Sequence, residues 1–309
     1  MADDLATRVG RLEKQLLLAE TYSVEAFWRT IDRTYSANGS SREIGCIVCG
    51  YKDKRGGFKI HRSQCIFRGG ELERYECPDC GCIFGALKYL DLDEAFVDLD
   101  YRLLYSRYAE GDSTSNEIRT FGSLRPEKRG RYLDWGCGGT WSRTISQLRR
   151  DGWDVWGYEP SAEASGEFVV NQRNAIEAKF NGIFSNNVIE HFRDPVAQFH
   201  DFHSILEPNG TMAHSSPCYE YSYEFSRFHT LFLLGKSPEI LAERTGSQVA
   251  DRIQDGEYIN LVFSKRADAQ GSKGGGIAPS PMGSWGKRLI ERHKPLTRRF
   301  QRRLSPWER

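Results

Sequence analysis

Residues 132–141 read Y-L-D-W-G-C-G-G-T-W. A short apolar run closes on an acid, Asp134, and four of the next five residues are Gly or Cys. A strand that ends in such a loop turns sharply at its carboxyl end, where open α/β sheets bind their ligands. A dinucleotide loop follows G-x-G-x-x-G, and its third glycine lets helix and strand approach closely. Counted from Gly136, the second glycine is Gly138, but the third position is Trp141. Trp is too large for that approach, so the pattern turns away from NAD.

A second acid narrows the choice. Glu159 ends the next apolar stretch, W-D-V-W-G-Y (153–158), 25 residues beyond Asp134. A carboxylate there can accept from both hydroxyls of a ribose. An acid beside the glycines would repel a pyrophosphate and suits a cationic, phosphate-free cofactor. Around this pair the chain alternates strand and helix. Strands are expected at 131–134, 153–158, 168–170, 182–186 and 211–215, with a small helix before the third. Helices are expected at 141–150, from near Val188, at 194–206 and at 237–244. E-P-N-G (207–210) reads as a turn, and Asp255-Gly256 joins two last strands near 248–253 and 257–264. The alternation predicts an α/β fold, a doubly wound, mostly parallel sheet with one antiparallel edge strand.

Four segments then match one family in order. L-D-W-G-C-G-G (133–139), V-W-G-Y-E-P-S (155–161), F-S-N-N-V-I-E-H-F-R-D-P (184–195) and L-E-P-N-G (206–210) resemble the motifs of class I S-adenosylmethionine-dependent methyltransferases. Thr140 and Asn209 stand where that family carries glycine. The resemblance implies a Rossmann-like methyltransferase domain over 131–264, with S-adenosylmethionine held by Asp134, Gly136, Cys137, Gly138, Glu159 and Asn186. A catalytically inert assembly factor on the same fold is the alternative from another class, and the intact Asp134, Gly136, Gly138 and Glu159 argue against it.

Ahead of this domain lie two C-x-x-C-G knuckles, C-I-V-C-G (46–50) and C-P-D-C-G (77–81), with 27 residues between Cys49 and Cys77. Each knuckle brings two thiolates to one point, and four sulfurs are the preference of structural Zn²⁺. Cys46, Cys49, Cys77 and Cys80 are therefore the expected metal ligands of a small zinc ribbon at 39–90, with a hairpin built from F-K-I-H (58–61) and C-I-F (65–67). His61, Cys65 and Cys82 are read as packing or surface residues, and Cys137 and Cys218 as packing rather than nucleophiles. A ribbon fused ahead of this fold is similar to the methyltransferases of deoxysugar and surface-polysaccharide pathways. That likeness implies a sugar or glycan hydroxyl as acceptor, with methylation at a sugar carbon or on a small aromatic molecule as competing chemistries.

Transfer to a hydroxyl calls for a nearby proton acceptor, and His is the side chain suited to that work. His191, just past the fourth strand, and His229, in S-R-F-H (226–229), are the two candidates. Y-E-Y-S-Y-E-F (219–225) suits a ligand rich in hydroxyls. His200, His203 and His214 are read as structural. A connector at 91–130 places Tyr101, Tyr105 and Tyr108 on one side of a helix, more in keeping with a core stripe than a site.

The ends of the chain carry a different message. Residues 3–36 read as one helix, within an N-terminal segment 1–38. Leu5, Val9, Leu12, Leu16 and Ala19 form a heptad seam suited to a homodimer. Residues 265–283 are Gly-, Ser- and Pro-rich, a flexible linker. The chain holds 43 Lys and Arg against 42 Asp and Glu. Residues 284–309 hold nine of the basic groups and two of the acids, leaving 34 basic and 40 acidic groups elsewhere. A +7 tail on a −6 body, with Trp285, Leu289, Leu296, Phe300, Leu304 and Trp307 interleaved among the charges, suits an anionic membrane surface. The acidic body argues against nucleic acid as partner. MADDLATRVG lacks the apolar core of a secretory signal, and the expected place is the cytoplasm, peripheral on the membrane's inner face.

Overall fold

The computed structural model describes residues 2–38, 42–105, 108, 111–216, 226–255 and 258–266. The tail, nearly all of the linker, Cys218 and the Tyr- and Glu-rich 219–225 lie outside the described residues.

Helix α1 runs Ala2–Asn38. Its second half packs through Val24, Phe27, Trp28 and Ile31 into a cluster with Tyr89, Leu104 and Phe228. Its first half leaves the heptad seam uncovered, with Leu5, Leu12 and Leu16 each more than 60% exposed at 63%, 64% and 66%. The ribbon follows. Strands β1 (Glu43–Gly45) and β2 (Lys52–Lys54) pair around the first knuckle. Strands β3 (Lys59–Gln64), β4 (Glu71–Glu76) and β5 (Ile83–Gly85) form an antiparallel sheet. The hairpin is there, but Cys65–Phe67 belong to its turn rather than to a strand, because the Cys65 amide bonds the Gly70 carbonyl and closes the loop. Short helix α2 (Leu87–Leu90) and helix α3 (Glu94–Tyr105) complete this half. Lys88 Nζ, buried, reaches Asp32 of α1 at 2.5 Å and the Gly69 carbonyl at 2.7 Å.

Helix α4 (Thr114–Ser123) leads into β6 (Arg131–Trp135), α5 (Arg143–Arg150), β7 (Asp154–Tyr158), β8 (Val169–Val170) and β9 (Phe180–Asn186). Then come α6 (Pro195–Ile205), β10 (Leu206–Ser216), β11 (Leu231–Phe232), α7 (Ser237–Arg244), β12 (Ser247–Asp255) and β13 (Tyr258–Lys265). Seven of these strands make one sheet in the order β12-β13-β10-β9-β6-β7-β8. One face packs on α4 and α5 through Ile118, Phe121, Leu124, Ile145 and Leu148. The other packs on α6 and α7 through Leu133, Trp135, Phe199, Phe202 and Leu241. Strands covered on both sides are apolar throughout rather than alternating, as β6 shows with its last four residues all buried. The second cluster runs without a break into Cys46, Val48 and Phe58 of the ribbon, so ribbon and sheet share one core.

Four local expectations are corrected. The antiparallel strand is β13, and it lies between β10 and β12 rather than at the edge. It pairs on both sides, and its Leu261, Val262 and Phe263 are buried as only an interior strand's are. No helix starts at Val188. A 3-10 turn, Ile189–His191, follows β9, and α6 starts at Pro195 because Asp194 caps it, accepting from the Ala197 amide at 2.9 Å. Asn187, with φ 56°, breaks the run between strand and turn. The small helix before β8 is a series of bends. There Pro160 and the Glu159 carboxylate, which accepts from the Ser161 amide at 3.0 Å, hold the chain in a turn. E-P-N-G stays within β10 as a register shift between Leu206 and Thr211.

His214, fully buried in β10, shares a hydrogen bond with Ser185 Oγ through Nδ1 at 2.8 Å. Burial pushes its pKa down to about 3. The unfolded imidazole titrates near 6.5, so between these values the unfolded chain binds a proton that the native chain refuses. Stability therefore rises with pH across that window and falls as the medium is acidified. The expected loss from this group between pH 7 and pH 5 is about 2 kcal/mol. Urea unfolding at the two pH values should show it, and His214→Phe should remove that part of the slope. An unchanged slope in the variant would place the acid sensitivity elsewhere.

Candidate active site

The glycine loop leaves β6 at the centre of the sheet. Gly136 and Gly138 both have φ 82°, a conformation that glycine adopts without strain. A side chain at Gly136 would come within 2.6 Å of Val188, which lies over the loop just before the 3-10 turn. At Gly138 the space above the backbone is open. Cys137 points the other way, into the core: a side chain at Gly157 would meet its sulfur at 2.6 Å. Burial raises its thiol pKa, in keeping with a packing role. Thr140, where the family pattern has glycine, has its backbone packed against Gly166. Gly166 lies against its carbonyl oxygen, 1.9 Å from where a Cβ would stand.

The two acids take distinct positions. Asp134 is buried at the end of β6, and its Oδ2 has no hydrogen-bond partner. Burial, and then the charges of Glu117 and Glu159, push its pKa well up. Glu159 ends β7. Its Oε2 accepts from the Gly138 amide at 2.9 Å, and its Oε1 from the Ser161 amide at 3.0 Å and the Ser161 hydroxyl at 2.6 Å. Glu117 of α4 accepts from Ser113 and Thr144. Three acidic side chains around one glycine loop make a place for a cation, whose charge would favour the ionised form of Asp134. A phosphate there would be repelled, whereas an ammonium and a sulfonium would be attracted. The orphaned Asp134 oxygen and the open Gly138 backbone fit S-adenosylmethionine. Asn186 ends β9, where its Oδ1 accepts from Ser215 Oγ at 2.5 Å, and Ser215 in turn meets Thr120 of α4 at 3.0 Å.

The two candidate histidines, 38 positions apart in sequence, come together. The rings of His191 and His229 lie 4.8 Å apart, centroid to centroid. His191 Nδ1 is 2.6 Å from Tyr101 Oη and 3.1 Å from the Phe228 carbonyl. Two arrangements satisfy these contacts: Tyr101 donates to Nδ1, or Nδ1–H donates to the Phe228 carbonyl, and only the second leaves the lone pair on Nε2. Tyr101 keeps the packing role its stripe suggested, against the cluster of Trp28, Tyr89, Leu104 and Phe228, and its hydroxyl also meets His191. It reaches the site and stacks on Tyr105, which is 46% exposed. Its phenol is held protonated, with the pKa well up through burial.

The segment carrying His229 is anchored by the ribbon. The fully buried Arg74 of β4 donates to the Ser226 carbonyl at 2.5 Å and to the His229 carbonyl at 3.0 Å. Strand β11, from the same insertion, joins the ribbon sheet against β5. Arg227 makes a two-pronged ion pair with Asp100 of α3 at 2.8 and 2.7 Å. Arg74, Asp100, Arg227 and Glu117 carry no motif, and only the fold reveals their parts. Glu190 stood inside a quoted motif beside His191, a signal that was available.

The knuckles form as their spacing predicts. Each closes with a glycine amide on the first cysteine's carbonyl, Gly50 to Cys46 at 3.0 Å and Gly81 to Cys77 at 2.9 Å. Amides of Tyr51 and Cys82 point at the sulfurs of Cys49 and Cys80, both at 3.4 Å. Cys46 and Cys80 sulfurs are 3.7 Å apart, and Cys49 and Cys77 sulfurs 3.5 Å. Four sulfurs at about 2.3 Å from one tetrahedral Zn²⁺ would be about 3.8 Å from one another. The cluster is compatible with zinc. His61 instead bonds Glu76 at 2.8 Å.

Residues 107–260 match a family described as methyltransferase domain. With the glycine loop, the two strand-end acids and this sheet, the chain belongs to the class I S-adenosylmethionine-dependent methyltransferases and is an enzyme of that class. Among solved structures, it is similar to the 1,6-didemethyltoxoflavin-N1-methyltransferase of Burkholderia thailandensis, at 17% identity and a TM-score of 0.44, over 67% of this chain and 99% of that one. The magnesium protoporphyrin IX methyltransferase of Synechocystis PCC 6803 aligns at 12% identity and a TM-score of 0.40, over 56% and 100% of the two chains. A methyltransferase of calicheamicin biosynthesis aligns at 10% identity and a TM-score of 0.39, over 59% of this chain and 61% of that one. At such identities the likeness concerns the fold and says nothing of the acceptor. A comparison with curated proteins found no match. No helix among the described residues is long and apolar enough to cross a membrane.

Proposed function

We propose that the enzyme methylates a hydroxyl of a sugar or glycan, with the acceptor seated against His191 and His229. The observation that carries this reading is the pairing of the two rings at 4.8 Å, with His191 held at Nδ1 by Tyr101 and the Phe228 carbonyl. Bound S-adenosylmethionine supplies an electrophilic methyl on a sulfonium. Asp134 and Glu159 orient that cofactor, Glu159 exchanging its bonds to Gly138 and Ser161 for the ribose hydroxyls. The histidine pair activates the acceptor oxygen. Aromatic faces at Tyr101 and Tyr105 suit the C–H face of a pyranose. The Cys46, Cys49, Cys77 and Cys80 site holds a structural Zn²⁺. Attachment of residues 284–309 to an anionic membrane, where lipid-linked glycans would be met, rests on the sequence.

Calorimetry with S-adenosylhomocysteine should show one site per chain. Glu159→Ala should weaken it about 10- to 100-fold, since charge-assisted bonds to a carboxylate contribute about 1.5–3 kcal/mol. No heat from the folded wild type would favour the inert assembly factor. Labelled S-adenosylmethionine offered with a cell-envelope glycan extract should label the glycan. His191→Ala and His229→Ala should each lower that rate by about 100-fold or more. If both keep most of it, the acceptor is activated elsewhere.

A further inference from the structure

A third side chain converges on the histidine pair. Glu190 precedes His191 in the 3-10 turn and is fully buried, and its carboxylate oxygen and one ring nitrogen each of His191 and His229 lie within 4.8 Å of one another. The three come from two segments far apart in the chain, held by separate devices. The Thr230 amide bonds the Glu190 carbonyl at 2.7 Å, locking the two segments backbone to backbone. Arg74 fixes the His229 carbonyl from the ribbon side. The Phe228 carbonyl and Tyr101 hold His191 at Nδ1, the kind of outer contact that orients a metal-binding imidazole, and Nε2 is the nitrogen that neither of them touches.

We infer that Glu190, His191 and His229 bind a divalent transition-metal cation at the acceptor mouth, separate from the four-cysteine site. Two imidazoles and one carboxylate make the donor set of open, reactive sites rather than of closed structural ones. Three protein ligands leave positions for two oxygens of an acceptor. The ion would also bring positive charge to a carboxylate held out of water. Val188, next to the turn that carries Glu190 and His191, lies against Gly136 of the glycine loop, which ties that turn to the loop.

The inference rests on the reading of this pair as the acceptor site and specifies how it activates the hydroxyl. A coordinated hydroxyl loses its proton more readily. The proton passes to solvent, the oxygen–methyl bond forms as the sulfur–methyl bond breaks, and the sulfonium becomes a neutral thioether. An acceptor with two neighbouring oxygens, such as a vicinal diol, would chelate the ion and be favoured over an isolated alcohol.

The test is a Mn²⁺ titration of the full, zinc-containing chain, followed by the electron paramagnetic resonance signal of free Mn²⁺. Wild type is expected to remove one Mn²⁺ per chain. It should also enhance water proton relaxation, since open positions exchange water. His191→Ala, His229→Ala and Glu190→Gln should each weaken binding at least tenfold while the zinc content stays unchanged. The two histidines are only part-buried, so their variants keep the test meaningful if the buried Glu190 variant fails to fold. Wild type that binds no Mn²⁺, or histidine variants that bind it as well as wild type, would overturn the site. Mn²⁺ binding with no labelled glycan would leave the site standing and remove the sugar reading. Glycan labelling without Mn²⁺ binding would do the reverse.

Discussion

Cys49→Ser is expected to abolish zinc binding and unfold the ribbon, and with it the segment that carries His229. Binding of structural Zn²⁺ is worth about 10–16 kcal/mol in isolated zinc-finger peptides. That matches or exceeds the whole stability of an ordinary domain, about 5–15 kcal/mol. The ribbon core of Cys46, Val48 and Phe58 is continuous with the sheet's own core, so the damage should not stay local. β11 pairs with β5, and Arg74 holds the Ser226 and His229 carbonyls. Loss of β4 and β5 leaves the His229 segment without its supports. Metal analysis of the wild type should give close to one zinc per chain. Hydrogen exchange on the variant should show lost protection in β3–β5 and in 226–232, with the β6–β7 centre better preserved. A zinc-free variant with full protection there would show that the cysteines are only packed.

The second large effect is expected at the Arg227–Asp100 pair, whose side chains are only 3% and 4% exposed. Asp100→Ala leaves a guanidinium buried against the Trp28 and Phe228 rings, 5.2 and 4.5 Å from their centroids. Breaking a buried pair from one side costs about 3–5 kcal/mol, because the remaining charge is uncompensated. Replacing both partners, Asp100→Leu with Arg227→Met, should cost clearly less than the two single changes added together. Urea unfolding of the four proteins closes the cycle. Strict additivity would mean that the pair is not coupled, and that another contact joins α3 to the 226–230 segment. Since Phe228 orients His191 and Tyr101 lies on α3, the single variants should also weaken glycan labelling more than S-adenosylhomocysteine binding.

Much of the fold was legible because its signals are local. Asp134, the glycines and the apolar run before them specify a strand, a left-handed turn and a ligand-facing end within ten residues. The knuckles are legible for the same reason: C-x-x-C-G closes on itself through Gly50 and Gly81. Where the reading slipped, a non-local partner decided. Nothing in residues 258–265 says that the strand inserts between β10 and β12, since that depends on which edge β12 finds free. The Tyr101 stripe has the spacing of a core face and packs as one. Its hydroxyl also joins the site only because His191 arrives from the far end of β9.

The sequence by itself determined the chemistry available: a glycine loop flanked by acids, a second acid at the end of the next strand, four cysteines and two candidate histidines. Short-range sterics and charge carry those, and they survive any arrangement of the remaining chain. Only the tertiary structure decided that His191 and His229 are neighbours, that Glu190 joins them, and that the ribbon holds the segment on which His229 stands. Those are contacts between residues tens to more than a hundred positions apart. They are selected by burial of one continuous core and by pairing buried charges such as Arg227 with Asp100, and no local pattern encodes either.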